Sequence, residues 1–287
     1  MRIPSFHAAL VSACLLATPS AHAATTAPAD DVQTTCPAMS ADMRDALAMM
    51  RDNLIEPGRK IDMAAIGQSP TLQKVREEEL ASKTSDWPNL CRYKNANTDM
   101  AARTRPDVIF IGSSVTENWA IGDPQFFDGK TNVNRGIGGQ TTPQILLRFM
   151  ADAVRLRPKV IHILAGSNDI AGNTGPIANA DIENNLDAMM ELALAHHIKV
   201  ILSAITPSEK YPWSPVDPKP RIRSINGWIQ TWAGKPGVTI VDYAPALDNG
   251  QGAIKAGLSN DGVHPNRDGY RAMRPLAQSA IRAALAH

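Results

Sequence analysis

Four short segments of this 287-residue chain carry side chains able to do chemistry. They read Gly112-Ser113-Ser114-Val115-Thr116, Asn134-Arg135-Gly136-Ile137-Gly138-Gly139-Gln140-Thr141, Gly166-Ser167-Asn168-Asp169 and Asp261-Gly262-Val263-His264-Pro265. A serine hydroxyl is a weak nucleophile at neutral pH until a neighbouring base accepts its proton as it attacks. His264 is the available base. Asp261 lies three residues earlier in the same loop, close enough to accept a hydrogen bond from one imidazole nitrogen, fix the tautomer and stabilise the imidazolium that forms. Pro265 restricts His264 to an extended backbone, which helps aim the ring. Taken singly, each segment also has a structural explanation: Ser114 can cap a helix, and Asn168-Asp169 and Asp261-Gly262 are ordinary turn pairs. Gly136, Gly138 and Gly139 could cradle a phosphate, but the dinucleotide fingerprint needs a glycine where Thr141 stands, and no Walker-type lysine follows. The Gly-x-Ser-x-Gly elbow of the α/β-hydrolases is absent. No cluster of His, Cys and carboxylates has metal-ligand spacing, so neither a metal nor a cofactor is expected.

Residues so far apart in sequence act together only if the fold gathers them. From Asp107 onward, short apolar runs at Val108–Ile111, Val133, Val160–Leu164, Val200–Leu202 and Val238–Val241 read as strands separated by amphipathic helices. Such alternation predicts a parallel sheet with helices on both faces, whose ligand site lies beyond the carboxyl ends of the strands. Three of the four segments leave such strand ends, and the fourth precedes the last helix. One helix is expected to open with Thr142 as cap and Pro143 in its first turn, and another to carry Ile182, Leu186, Met189 and Ala193. The final helix presents Tyr270, Met273, Ala277, Ile281 and Leu285 on one face, with a kink expected at Pro275. His162, inside the third strand, reads as a satisfied core residue. His196 and His197 end a helix, where a cation is favoured by the dipole.

The N-terminal third has a different character. A basic start, an apolar run from Ala8 to Ala17 and Ala21-His22-Ala23 make residues 1–23 a signal peptide, cleaved after Ala23. Val11-Ser12-Ala13-Cys14 also looks like a lipidation motif, although its apolar run falls largely after Cys14. Residues 24–104 are read as a linker followed by a helical extension, with Ser40 capping a helix marked by Met43, Leu47, Met50 and Leu54, and a second helical stretch over Thr71–Ser82. Export leaves Cys36 and Cys91 in an oxidising compartment, where they are expected to form a disulfide. No later segment has the ~20 apolar residues of a membrane span, so no stable membrane insertion is expected. A formal net charge of +1 provides no field to recruit nucleic acid.

The four segments, in their order and at these strand ends, resemble the blocks of the SGNH (GDSL-like) hydrolases, and the resemblance spans residues 105–287. It implies a three-layer α/β/α sandwich with a flavodoxin-like parallel sheet of about five strands. Carried over position by position, it also implies Ser114 as nucleophile, Asp261 and His264 as its triad partners, and an oxyanion hole formed by Ser114, Gly139 and Asn168. The backbone N–H groups of Ser114 and Gly139 and the amide of Asn168 would donate to the oxygen on which charge develops, and one such donor is typically worth ~10²–10³ in turnover. Two positions depart from the pattern. Gly112-Ser113-Ser114 stands where the family reads Gly-Asp-Ser, which leaves two adjacent serines, of which alignment to the block selects Ser114. Gln140 stands where an acid is common.

The expectation is a serine esterase, periplasmic or extracellular, that forms an acyl-enzyme on Ser114 and acts on small-molecule or glycan-linked esters with a small acyl group. Two alternatives are a lysophospholipase- or thioesterase-like acylhydrolase and, from another class, a non-catalytic glycan-binding protein. Tyr211 and Trp213, in the loop after the fourth strand, either line the substrate pocket or pack on the domain, and Trp119 is undecided in the same way. The sequence leaves the oligomeric state open.

Overall fold

A computed structural model describes residues 36, 40–60, 69–101, 105–127 and 131–286. The proposed signal peptide with Cys14, and the linker at 24–35, lie outside these residues.

Most strands are built mainly from β-branched or large apolar residues, the exception being Asn132–Gly136, where Val133 alone is apolar, and alternate side chains go to opposite faces. The strands are β1 (Val108–Gly112), β2 (Asn132–Gly136), β3 (Val160–Leu164), β4 (Lys199–Ser203) and β5 (Val238–Val241). They pair in parallel in the order β2-β1-β3-β4-β5, with Gly112 opposite both Gly136 and Leu164. That order is the flavodoxin-like one, and its reversal lies between β1 and β3, where ligands of open sheets bind.

Alternation divides the core in two. Ile109, Ile111, Ile161, Ile163, Val200 and Leu202 face one layer of helices. That layer comprises α5 (Thr142–Asp152), α7 (Asn179–Ala195) and α8 (Lys219–Gln230). Val108, Phe110, Val160, Leu164 and Ile201 face the other layer, formed by α4 (Ser114–Gly122), α10 (Arg267–Ala286) and the short α9 (Ala244–Leu247), whereas the short α6 (Ser167–Ala171) packs Ile170 and Ala171 into the first. In the second layer Trp119 is fully buried, packed edge-on against Phe110 and stacked on Tyr270, so it is core and lines no pocket. The described residues thus form the α/β/α sandwich expected, with strand limits within a few residues of the apolar runs.

Helix ends differ from expectation in instructive ways. The cap of α5 is Thr141 rather than Thr142: Gln144 reaches back to accept the Thr141 N–H at 3.1 Å, while the Thr142 N–H and hydroxyl are both taken by the Asp169 carboxylate. In α10 the buried face runs through Tyr270, Met273, Ala277, Ala280 and Ala284, and Leu285 is exposed. The helix continues through Pro275 to Ala286.

The N-terminal extension contains α1 (Ala41–Ile55), α2 (Pro70–Ser85) and α3 (Lys94–Ala101). It belongs to the same compact unit as the sheet. The first begins just after Ser40, and the second exceeds the expected span by one residue at its start and three at its end; the side chains of Met43, Leu47 and Met50 lie outside the description. α3 went unread in the sequence because Lys94-Asn95-Ala96-Asn97-Thr98-Asp99 offers Ala96 as its one apolar residue. Cys36 and Cys91 are disulfide-bonded. Among the described residues no helix is long and apolar enough to cross a membrane.

Candidate active site

The segment after β1 turns directly into α4. Ser113 is the buried residue before the helix, and Ser114 is its first residue. The N–H of a first-turn residue has no acceptor inside its own helix, so that of Ser114 is available to an outside group. No side chain fits at Gly112, because a Cβ there would lie 2.3 Å from both the Leu164 carbonyl and the Thr116 hydroxyl.

Across the sheet end, the loop carrying Asp261 and His264 is pinned at both sides. Ser259 and Pro265 form an antiparallel bridge. Asn266 caps α10 by accepting the N–H groups of Asp268 and Gly269, and its amide donates to the Gly257 carbonyl at 2.8 Å. The loop holds His264, 8% exposed, with Nε2 2.8 Å from the Ser114 hydroxyl oxygen and Nδ1 2.6 Å from Asp261 Oδ2. The other Asp261 oxygen accepts the backbone N–H groups of Val263 and His264 and the Ser259 hydroxyl. Burial by itself would raise the Asp261 pKa, but the hydrogen bonds and positive charge from His264, with the two backbone donors, outweigh it and pull it down to about 2. An ionised carboxylate can only accept, so Nδ1 carries the proton and Nε2 is left to accept the Ser114 O–H. Ser113, facing inward, takes no part in this chain of hydrogen bonds.

The β2 loop lies alongside Ser114: a Cβ on Gly138 would lie 3.8 Å from the Ser114 Cβ. Gly139 adopts φ +76°, which a residue with a Cβ rarely does, and nothing lies within 4 Å of where that Cβ would be. Backbone conformation, rather than crowding by protein atoms, accounts for glycine here. Asn168, buried in the first turn of α6, donates one amide hydrogen to the Gln140 carbonyl at 2.9 Å and keeps a second.

Tyr211 and Trp213, paired in the sequence reading, stack on one another with centroids 5.6 Å apart but differ in exposure. Tyr211 is 2% exposed and packs into the first core layer, its hydroxyl out of hydrogen-bond geometry with any of the described residues though Ser167 is near; burial raises its pKa. Trp213 is 46% exposed and stacks on the His264 ring, with centroids 5.9 Å apart and planes 26° from parallel.

Three residues of this region escaped the sequence reading. Asn173 donates to the Gly139 carbonyl and to Asn168 Oδ1, and it accepts the Trp213 indole N–H, so it connects three of the candidate residues. Arg148 is fully buried beneath the loops and donates to the Gly112 and Arg135 carbonyls, the Gln140 side chain and Asp152. Its signal was an arginine inside the apolar run Ile145-Leu146-Leu147-Arg148-Phe149-Met150. Gln140, the departure from an acid, sits between Arg148 and the Pro88 carbonyl, to which it donates. Glu117, one turn after Ser114 in α4, accepts the Gly138 N–H at 2.8 Å.

Residues 110–272, more than half of the chain, match the model of the GDSL-like Lipase/Acylhydrolase family. Among solved structures, a protein assigned as an acylhydrolase from Bacteroides fragilis NCTC 9343 is 38% identical with a TM-score of 0.65, over 70% of this chain and 99% of that one. A GDSL-like lipase from Bacteroides thetaiotaomicron VPI-5482 is 36% identical with a TM-score of 0.64, over 69% of this chain and 100% of that one. An uncharacterized lipoprotein, YqeF, of Bacillus subtilis (strain 168) is 37% identical over 118 residues, 35% of this chain. The matched stretch spans about half the length of that protein (49%).

Proposed function

The chain belongs to the GDSL-like lipase/acylhydrolase family, and from that premise we propose that it is an exported serine esterase whose nucleophile is Ser114. The observation that carries this reading is the hydrogen-bonded chain from the Ser114 hydroxyl through His264 to Asp261.

In the first step the Ser114 Oγ attacks the ester carbonyl carbon as His264 Nε2 takes the hydroxyl proton. Asp261 remains ionised and stabilises the imidazolium. Its low pKa keeps it so throughout the neutral range. The carbonyl oxygen becomes an oxyanion, to which the Ser114 and Gly139 N–H groups and the free amide hydrogen of Asn168 donate. Collapse expels the alcohol, which takes the proton from His264, and leaves an ester of Ser114. Water then attacks that ester as His264 removes its proton, and a second collapse releases the acid and restores the Ser114 hydroxyl.

The substrate class we propose is a small acyl group on a small-molecule or glycan alcohol. Trp213 supports it: its half-exposed indole, stacked on both His264 and Tyr211, leaves aromatic surface beside the base of the kind a sugar ring packs against. Export is supported by the Cys36–Cys91 disulfide and by the lipoprotein relative.

Hydrolysis of p-nitrophenyl acetate, butyrate and decanoate by the mature protein tests both parts. The expected ranking is acetate over decanoate, with turnover lost in Ser114→Ala and kept in Ser113→Ala. A preference for decanoate contradicts the substrate class. A parent inactive on all three, with glycan binding that survives Ser114→Ala, contradicts the enzyme reading.

A further inference from the structure

Glu117 joins the nucleophile's helix, the β2 loop and the N-terminal extension. It lies three residues after Ser114 in α4, and its Oε2 accepts the Gly138 N–H. The other carboxylate oxygen accepts from two arginines of the extension, Arg51 of α1 at 3.2 Å and Arg92 at 3.0 Å. All three side chains are largely shielded from solvent, Glu117 being 17% exposed and the arginines 23% and 24%. Charge-assisted hydrogen bonds of this kind are the stronger ones and fix geometry as well as adding energy.

The extension makes further contacts with the same loops. The Gln140 and Gln144 side chains donate to the Pro88 and Trp87 carbonyls, and the Tyr93 hydroxyl donates to the Gly136 carbonyl. At the other edge of the site the amide of Asn260, the residue before Asp261, donates to the Asn53 and Glu56 carbonyls at the end of α1, both at 2.8 Å. The extension therefore touches the loop of Gly139 and the loop of Asp261 and His264, with Ser114 between them.

We infer that Glu117, clamped by Arg51 and Arg92, is a positioning residue that presets the Gly138-Gly139 backbone for the oxyanion, so that the N-terminal extension forms part of the catalytic apparatus. The inference rests on the esterase reading. Holding the Gly138 N–H fixes the peptide next to the donor at Gly139, and donors held in place before the reaction stabilise the transition state without having to reorganise. A loop released at this point meets the developing charge poorly, while the ground-state carbonyl, which carries little charge, depends on it less. The loss therefore falls on kcat.

The test uses Glu117→Gln and the double variant Arg51→Met/Arg92→Met in the mature protein, with p-nitrophenyl acetate as substrate and phenylboronic acid as a mimic of the tetrahedral intermediate. Glu117→Gln keeps the shape but places an amide N–H against either Gly138 or the arginines. The expected result is a fall in kcat of about tenfold, within the range that small misplacements produce. It should be accompanied by a comparable rise in the boronate inhibition constant and a KM within about twofold of the parent. The Met double variant should match it, and combining all three changes should add little, since they break one unit. If Glu117→Gln does not fold, the double variant alone carries the same readouts. A folded variant whose kcat and boronate affinity stay within twofold of the parent overturns the inference, as does a rise in KM alone. A parent that hydrolyses no ester contradicts the esterase reading itself, which the parent's own turnover distinguishes from failure of this inference.

Discussion

His162 should make this protein sensitive to mild acid. Its ring lies in the middle of the sheet, opposite Phe110 and stacked on it with centroids 4.6 Å apart. Nε2 pairs with the Tyr243 hydroxyl at 2.9 Å, but Nδ1 has no hydrogen-bond partner among the described residues, so the residue is only half satisfied there. Complete burial lowers its pKa from 6.5 to about 3. In the unfolded chain the imidazole binds a proton below about 6.5, and in the folded chain only near 3. Stability is therefore full above 6.5 and is lost as the pH falls toward 3. At pH 4.5, two units below the unfolded value, the loss is about 3 kcal/mol at ~1.4 kcal/mol per unit. Asp169 works in the opposite sense: burial raises its pKa to about 6 against the Thr142 donors, so the cost of its charge is relieved as the pH falls. A comparison of variants cancels that contribution. His162→Phe/Tyr243→Phe replaces both partners by apolar rings of similar shape, which is nearly neutral at pH 7.5. Urea unfolding at pH 7.5 and 4.5 should show the parent losing about 3 kcal/mol more than the double variant on acidification. Equal losses in the two proteins would refute the reasoning.

Three further outcomes follow from the geometry. Arg148→Met leaves Asp152 buried without its cation and removes four donors from beneath the loops, and should cost about 3–5 kcal/mol in urea unfolding. Gly136→Ala puts a Cβ 2.2 Å from the Glu117 nitrogen. It should cost at least ~1–3 kcal/mol in thermal or urea unfolding, and any folded protein should have reduced kcat because the β2 loop is displaced from Ser114. Asp261→Asn preserves the shape of the loop but no longer imposes the Nδ1–H tautomer, and kcat for p-nitrophenyl acetate should fall by up to ~10⁴ with little change in KM.

The sheet was legible in the sequence because a strand buried on both faces reads as a near-continuous apolar run, as at Val108–Ile111, and such runs alternating with helices allow few topologies. Ser114, Asp261 and His264 stood out because four segments in order resemble the blocks of the SGNH hydrolases, each of them ordinary when taken singly, and alignment to the first block selects Ser114. The structure brings their side chains into one line of hydrogen bonds. Less visible were residues whose roles depend on distant partners. Nothing local marks Glu117 as the acceptor for Gly138, because Arg51 and Arg92 are 66 and 25 residues away in sequence. Nothing local marks Asn173 either, whose contacts are with Gly139, Asn168 and Trp213. The exchange of Thr142 for Thr141 as cap has the same origin, since Asp169 takes the Thr142 donors from across the sheet end. Tyr211 and Trp213 are two residues apart, yet one is core and the other lies beside His264, a division set by loop geometry that composition does not encode.

Phosphorylation of the nucleophile by diethyl p-nitrophenyl phosphate tests the central claim most directly. With the mature protein, release of one p-nitrophenolate per chain should coincide with loss of esterase activity, and peptide mass spectrometry should find the diethylphosphoryl group on Ser114. The label should persist in Ser113→Ala and be absent from Ser114→Ala. A label on Ser113, or an active esterase that remains active and unlabelled, would contradict the assignment of Ser114 as the attacking residue.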